Sequence, residues 1–179
     1  ALALNGATLY LGGKFTSIAG QPRSRIAAVD AITGLLEKWN PTASYTVRTL
    51  GLYGSTIFAG GEFTTFGGVT RANLAALDAT TGRVTSWNPG ANDNVDALVA
   101  MGNVVYVGGS FTQLGGQSRD GIGSIDATTA TVTSWYPSVS RSGYGYDASV
   151  GALAVAGETV FVSGAFDSIG GESRGGIAA

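Results

Sequence analysis

The feature that most constrains this chain is an internal repeat. The block Leu9-Tyr10-Leu11-Gly12-Gly13-Lys14-Phe15-Thr16 returns 48 residues later as Ile57-Phe58-Ala59-Gly60-Gly61-Glu62-Phe63-Thr64, and after 48 more as Val105-Tyr106-Val107-Gly108-Gly109-Ser110-Phe111-Thr112. A fourth, drifted copy, Phe161-Val162-Ser163-Gly164-Ala165-Phe166-Asp167, places Phe166 55 residues after Phe111. Other positions keep the step: Arg23, Arg71, Arg119 and Arg174; Asp30, Asp78 and Asp126; Trp39, Trp87 and Trp135; Pro41, Pro89 and Pro137. A repeat of this length is one supersecondary unit that cannot bury its apolar faces alone and must stack on its neighbours. The units fall at residues 1–47, 48–95, 96–150 and 151–179, the last incomplete.

Each unit contains four β-like runs. In the third, residues 97–101, the turn Gly102-Asn103 and residues 104–108 form a hairpin pattern. A loop of about a dozen residues carrying Gly115-Gly116 leads to 122–126, and residues 127–130 turn the chain into 131–135. Glycine, 29 of 179 residues, suits such turns, and 12% charge with 44% apolar residues excludes a disordered tail. Four-stranded antiparallel units with a period in the forties are the arithmetic of an all-β propeller. An outer strand for the last unit is missing at both ends, so the expected architecture is a segment of a larger propeller, completed by the remainder of a longer chain or by a second copy.

Composition narrows the chemistry. With no histidine and no cysteine there is no imidazole base, thiolate nucleophile, thiolate metal site or disulfide framework. Ten Lys and Arg scattered against twelve Asp and Glu leave no electrostatic footprint for nucleic acid. Apolar runs stop far short of the ~20 residues of a membrane helix, so no membrane insertion is expected. A Gly-Lys-Ser/Thr sequence is absent after the Gly-Gly pairs, which excludes a phosphate loop.

A residue present in every unit is first a scaffold part. Asp30, Asp78 and Asp126 precede tight turns, where a carboxylate accepts backbone N–H groups. The repeated arginines read as loop braces and the tryptophans as wedges in the widening gap between units. Gly34 and Gly82 are expected at positive φ, and Ala130 at the same position should cost on the order of 1 kcal/mol if the turn is kept.

Non-repeated residues are the better site candidates. Asn92, Asn94 and Asp96, with Asp93 between, are oxygen-rich enough to be a weak calcium candidate, although the glycine and distal glutamate of an EF-hand loop are missing. From Pro137 to Leu153 the chain is seven residues longer than between Pro89 and Leu98. The extra length falls in residues 138–148 and brings Arg141, Tyr144, Tyr146 and Asp147, a polar and aromatic stretch like a recognition loop. The short turns Asn5-Gly6, Gly54-Ser55, Gly102-Asn103 and Gly157-Glu158 share one face; the diglycine loops and every length change share the other, which is where ligand contact is expected.

The combination of Tyr10-Leu11-Gly12-Gly13-Lys14-Phe15-Thr16, an arginine after the second diglycine, Leu74-Ala75-Ala76-Leu77-Asp78-Ala79-Thr80-Thr81-Gly82 and Trp87-Asn88-Pro89 resembles the bacterial delta-60 repeat of β-propeller proteins, over essentially the whole chain. Kelch repeats are similar in their apolar run, diglycine and later tryptophan. Quinoprotein propellers resemble it in Ala28, Asp30, Thr33, Gly34 and Trp39, but the interval from glycine to tryptophan is one residue too long, so no quinone is implied. The delta-60 resemblance implies a secreted or surface-attached protein. The resulting expectation is a non-enzymatic extracellular or cell-surface scaffold without cofactor, binding a glycan or protein through Arg141, Tyr144, Tyr146 and Asp147. The alternatives are the propeller part of a secreted lyase or glycosidase, working through carboxylates, and a purely structural repeat in a fibre or tail-like assembly.

Overall fold

The computed structural model describes residues 1–142 and 147–179. Among the described residues it is all-β: four main three-stranded antiparallel sheets follow in chain order, with three two-stranded hairpins and one further small three-stranded sheet, Val139–Ser140, Ser168–Ile169 and Glu172–Ser173, beside them. The first comprises Leu2–Asn5, Thr8–Gly12 and Ile26–Asp30; the second, Val47–Tyr53, Thr56–Gly61 and Leu74–Asp78. The third comprises Val95–Met101, Val104–Gly109 and Ile122–Asp126; the fourth, Ser149–Ala156, Thr159–Ala165 and Ile177–Ala178. In every sheet the middle strand is the second in sequence, which is the meander read from the repeat. The diglycine loops fold into small hairpins, such as Thr65–Phe66 with Val69–Thr70 and Gln113–Leu114 with Gln117–Ser118.

The fourth run of each of the first three units is not a strand. It touches the sheet at one position only: Val29 with Leu36, Leu77 with Val84, Ile125 with Val132. The reason is competition for a carbonyl. Just past the bridge, the N–H groups of Glu37, Thr85 and Thr133 still donate to Ala28, Ala76 and Ser124 at 2.8–2.9 Å. The carbonyls of those same three residues accept instead from Nη2 of Arg23, Arg71 and Arg119, at 2.9, 2.7 and 3.1 Å. With that acceptor turned to a side-chain donor, the ladder stops at the bridge. Bracing is thus observed for Arg23, Arg71 and Arg119, where it accompanies the shortened outer run, while Arg174 donates to the adjacent Ser173 carbonyl.

The sheets stack face to face. Tyr10, Ile26, Ala28 and Trp39 of the first pack on Leu50, Ile57, Ala59 and Leu77 of the second. Phe58, Leu74, Ala76 and Trp87 pack in turn on Leu98, Val105, Val107 and Ile125. At ~25 cal/mol per Å² of apolar surface, such layers are what hold the sheets together. Close approach explains the repeated glycines: a Cβ on Gly61 or Gly109 would lie 2.1 Å from the Thr46 carbonyl or 2.0 Å from that of Asn94. Trp39 and Trp87 are buried wedges, each edge-on to an aromatic ring of the middle strand: Tyr10 at 5.0 Å and Phe58 at 5.1 Å between centroids. Their indole N–H groups cross to the next sheet, donating to the carbonyls of Asp78 at 3.3 Å and Asp126 at 3.0 Å.

Those aspartates close the turns. Oδ1 of Asp126 accepts from the N–H groups of Thr128 and Thr129 at 2.9 and 2.7 Å, and Asp30 and Asp78 do the same. These bonds, that from the third residue onward first among them, hold all three carboxyls below the ordinary aspartate range. Gly34 and Gly82 take φ of 72° and 73°, and Ala130 keeps the turn at 63°.

Candidate ligand-binding face

The ends of the middle strands, the small hairpins and the connections between units share one face, as the topology of a meander requires. Arg141 and Asp147 lie there, lining a cavity of about 300 Å³ with Phe111, Thr112, Asp120 and Ser140. Tyr144 and Tyr146 lie outside the described residues.

The cavity rests on ordered parts. Phe111 and Val139 are buried beneath it. Val139–Ser140 pairs with Ser168–Ile169, a hairpin of the fourth unit, and Ser140 Oγ meets Ser168 Oγ at 2.7 Å. Oδ2 of Asp167 accepts from the N–H and hydroxyl of Ser142 at 2.7 and 3.1 Å, pinning the chain where the extra residues begin. Asp120 is oriented by Tyr136, whose hydroxyl accepts from the Asp120 N–H at 3.0 Å and donates to Oδ2 at 3.1 Å. Burial pushes the Tyr136 phenol above its usual value, against the lowering effect of the N–H it accepts. The Arg119 guanidinium lies over the Tyr136 ring, 4.8 Å from its centre. The pocket therefore offers one cation, Arg141, two carboxylates, Asp120 and Asp147, and two hydroxyls, Thr112 and Ser140, above an apolar floor.

Two of the three calcium-candidate residues, Asn92 and Asp96, are engaged elsewhere. Asn92 Oδ1 accepts from the N–H groups of Thr112 and Gln113 at 2.9 and 2.8 Å. Ser44 makes the same cap in the preceding interface, with Thr64 and Thr65. Asn92 thus sits at a repeated scaffold position, in step with Ser44 and Ser140. Asp93 accepts from the Asn94 N–H, and Asp96 faces Arg48. Among the described residues no group of three Asp or Glu is placed to hold a metal.

Sequence reasoning missed the second charged feature of this face. Arg48 bridges two units, donating from Nε to Glu62 Oε1 at 2.7 Å and lying 3.1 Å from Asp96 Oδ1 through Nη1. Burial raises the Asp96 carboxyl above its ordinary value; Arg48 opposes this, while Glu62 and Asp93 add to it. A signal for it exists in the sequence. Positions in step along the repeat read Lys14, Glu62, Ser110, between a constant glycine and phenylalanine, and Arg48, Asp96, each after a valine, so the charge changes where the flanking residue is kept.

Comparison with known proteins defines the fold and leaves the site open. No family model matches the chain, and no curated protein does. Among solved structures it is similar to the computationally designed Ika4 protein, with a TM-score of 0.56 and 17% identity over 91% of this chain and 82% of that one. It is also similar to the computationally designed Ika8 protein (0.56, 16%, 94% of this chain and 43% of that) and to the WD40 repeats of RRP9 (0.57, 13%, 88% and 42%). The chain spans a little over two fifths of the latter two. These likenesses, with the repeated antiparallel sheets, show a β-propeller-like repeat fold; at such identities they carry nothing about ligands.

Proposed function

We propose that this chain is a non-enzymatic extracellular or cell-surface binding scaffold that engages a glycan or a protein through the loop face, at the pocket lined by Arg141 and Asp147. One observation supports the reading above others: the one large departure from the 48-residue step falls on a polar pocket anchored at both sides by ordered hairpins. Ligand recognition needs residues that differ between units on a rigid support, and this is where they differ most. The delta-60 resemblance supplies the secreted setting. The test is a glycan array and pull-down with the intact protein and with a variant shortened by seven residues within 138–148. Loss of a bound species in the variant supports the assignment, and equal binding by both overturns it.

A second reading has its own observation, since Asp120 and Asp147 line the same cavity. Paired carboxylates are what a glycosidase requires, at ~5 to 9.5 Å. Release of reducing ends from a polysaccharide, abolished in Asp147→Asn, would favour that enzyme over the scaffold.

The proposal extends to architecture. Each sheet, with its bridged fourth run, is taken as one four-stranded blade of a larger propeller. Leu2 and Leu4 stand in step with Leu50 and Leu52 yet are 64% and 60% exposed, and Ile177, in step with the buried Leu74 and Ile122, is 69% exposed. Faces of this composition call for further sheets, from a longer chain or a second copy. A molar mass of one chain in solution, with these residues accessible to labelling in the full-length protein, would exclude both.

A further inference from the structure

We infer that a second site, independent of the Arg141 pocket, lies in the groove between the first two units and takes an anionic polysaccharide. The groove has a volume of about 550 Å³ and is lined by Lys38, Asn40 and Pro41 of the first unit and by Val69, Arg71, Thr81, Arg83 and Val84 of the second, with no carboxylate among the lining residues. Three cations around one concavity in a protein of net charge −2 require a reason. Arg71 is locked in place, donating from Nη1 to Thr70 and from Nη2 to Thr85, both at 2.7 Å, with its buried Nε unpartnered. Lys38 and Arg83 have no side-chain hydrogen-bond or ion-pair partner among the described residues, so their full donor capacity faces the groove. Of the acids nearest in sequence, Glu37, next to Lys38, is not among the lining residues, and Asp78, five residues before Arg83, turns its carboxylate into its own turn toward Thr80 and Thr81.

The fold contains its own control. In step with Lys38, Arg71 and Arg83, the second interface has Ser86, Arg119 and Thr131, so two of the three cations are absent where the backbone repeats. The scaffold does not need Lys38 or Arg83; the repeated brace is Arg71 alone. The remaining lining chooses among anions. Asn40 offers an amide to hydroxyls, and Pro41, Val69 and Val84 give flat apolar patches that suit the C–H face of a sugar ring. Among the lining residues no aromatic is available to stack a nucleobase. The support is rigid: Gly82 lies on the Trp39 and Pro41 rings, and the Trp39 N–H reaches the carbonyl of Asp78.

The experiment is surface plasmon resonance at low ionic strength over immobilised heparin and polygalacturonate, which separate sulfate from carboxylate as the anionic group, with polyphosphate and neutral dextran as comparators. The variant is Lys38→Ser with Arg83→Thr, the residues the same fold already accepts one unit on. Wild-type protein should bind at least one acidic polysaccharide, the variant about tenfold more weakly with an unchanged melting temperature, and added salt should erase the difference. The variant shortened within 138–148 should bind these polyanions like wild type, which separates failure of this site from failure of the Arg141 pocket. Equal affinity of wild type and Lys38→Ser/Arg83→Thr, absence of binding to either polysaccharide, or equal binding to polyphosphate overturns the proposal.

Discussion

The first two interfaces and the third are built from the same motif and end differently. Trp39, Trp87 and Trp135 all stand edge-on to an aromatic of their own middle strand, at 5.0, 5.1 and 5.0 Å. Trp39 and Trp87 are buried and donate to a carbonyl on the next sheet. Trp135 is half-buried, lines a cavity of about 430 Å³ with Glu158, Glu172 and Arg174, and among the described residues its indole N–H has no such acceptor. The pose of the ring is therefore set within its own unit. For Trp39 and Trp87 the neighbouring unit's Asp turn adds an acceptor and covers the ring.

The largest expected effect tests that division. In this chain of 179 residues by itself, Trp87→Ala should cost about 3 to 5 kcal/mol, the range for removing a large buried aromatic, and Trp135→Ala roughly half as much, since less surface is lost. Denaturant titration of both variants measures this. Equal losses would mean that packing on Phe58 and Tyr106, not the clasp across the interface, gives the ring its value.

The next effect concerns how closely the units approach. Gly109→Ala places a Cβ against the Asn94 carbonyl, a backbone atom that cannot swing aside. It should destabilise by about 1 to 3 kcal/mol, as overpacking does. Gly175, where an added Cβ would meet nothing within 4 Å, should accept alanine within ~0.5 kcal/mol, the range for surface changes. Comparable melting temperatures for the two would show that the strand-end glycines are there for reasons other than space.

Much of this is legible in the sequence, because a repeat turns each residue into several observations. The meander, the carboxylate-closed turns, the arginine braces and the buried Trp87 each follow from a position held at the 48-residue step. What escapes is decided between elements. The outer run stops at one bridge because Arg23, Arg71 and Arg119 capture carbonyls fourteen residues away, a competition that strand propensity does not register. Local alternation groups Asn92 with Asn94 and Asp96, although its step to Ser44 and Ser140 marks it as a hairpin cap. The Arg48 bridge joins two units, so it shows only when varying positions are read across the repeat.

A smaller effect comes from the turns themselves. Ala130→Gly should stabilise the protein by about 1 kcal/mol, because alanine is held at φ 63° where the two equivalent turns have glycine. Gly82→Ala should do the opposite, and somewhat more strongly, since its Cβ would also press on the Trp39 indole at 3.2 Å. Thermal melts of the pair decide whether backbone strain or ring contact dominates at this position.

The smallest effect is electrostatic and depends on pH. Asp30 and Asp126 close the same turn with the same two N–H bonds, yet only the Asp126 turn carries an indole on its carbonyl. Both carboxyls are held below their ordinary value, so their ionised form favours the folded state. A depressed carboxyl contributes stability that is present above the unfolded value, roughly pH 4, and is lost as pH falls through the lower folded value. Asp126→Asn keeps an acceptor oxygen but not the charge. Its melting temperature should lie below wild type at pH 7, and the gap should close as pH drops below about 4. Asp30→Asn should show the same closing trend with a smaller gap, because no tryptophan depends on its turn and no side-chain amide donates to its carboxylate as Asn103 does to Asp126. A gap that persists at pH 2 would assign the effect to turn geometry rather than charge, and equal gaps for the two variants would show that the indole clasp is indifferent to the turn beneath it.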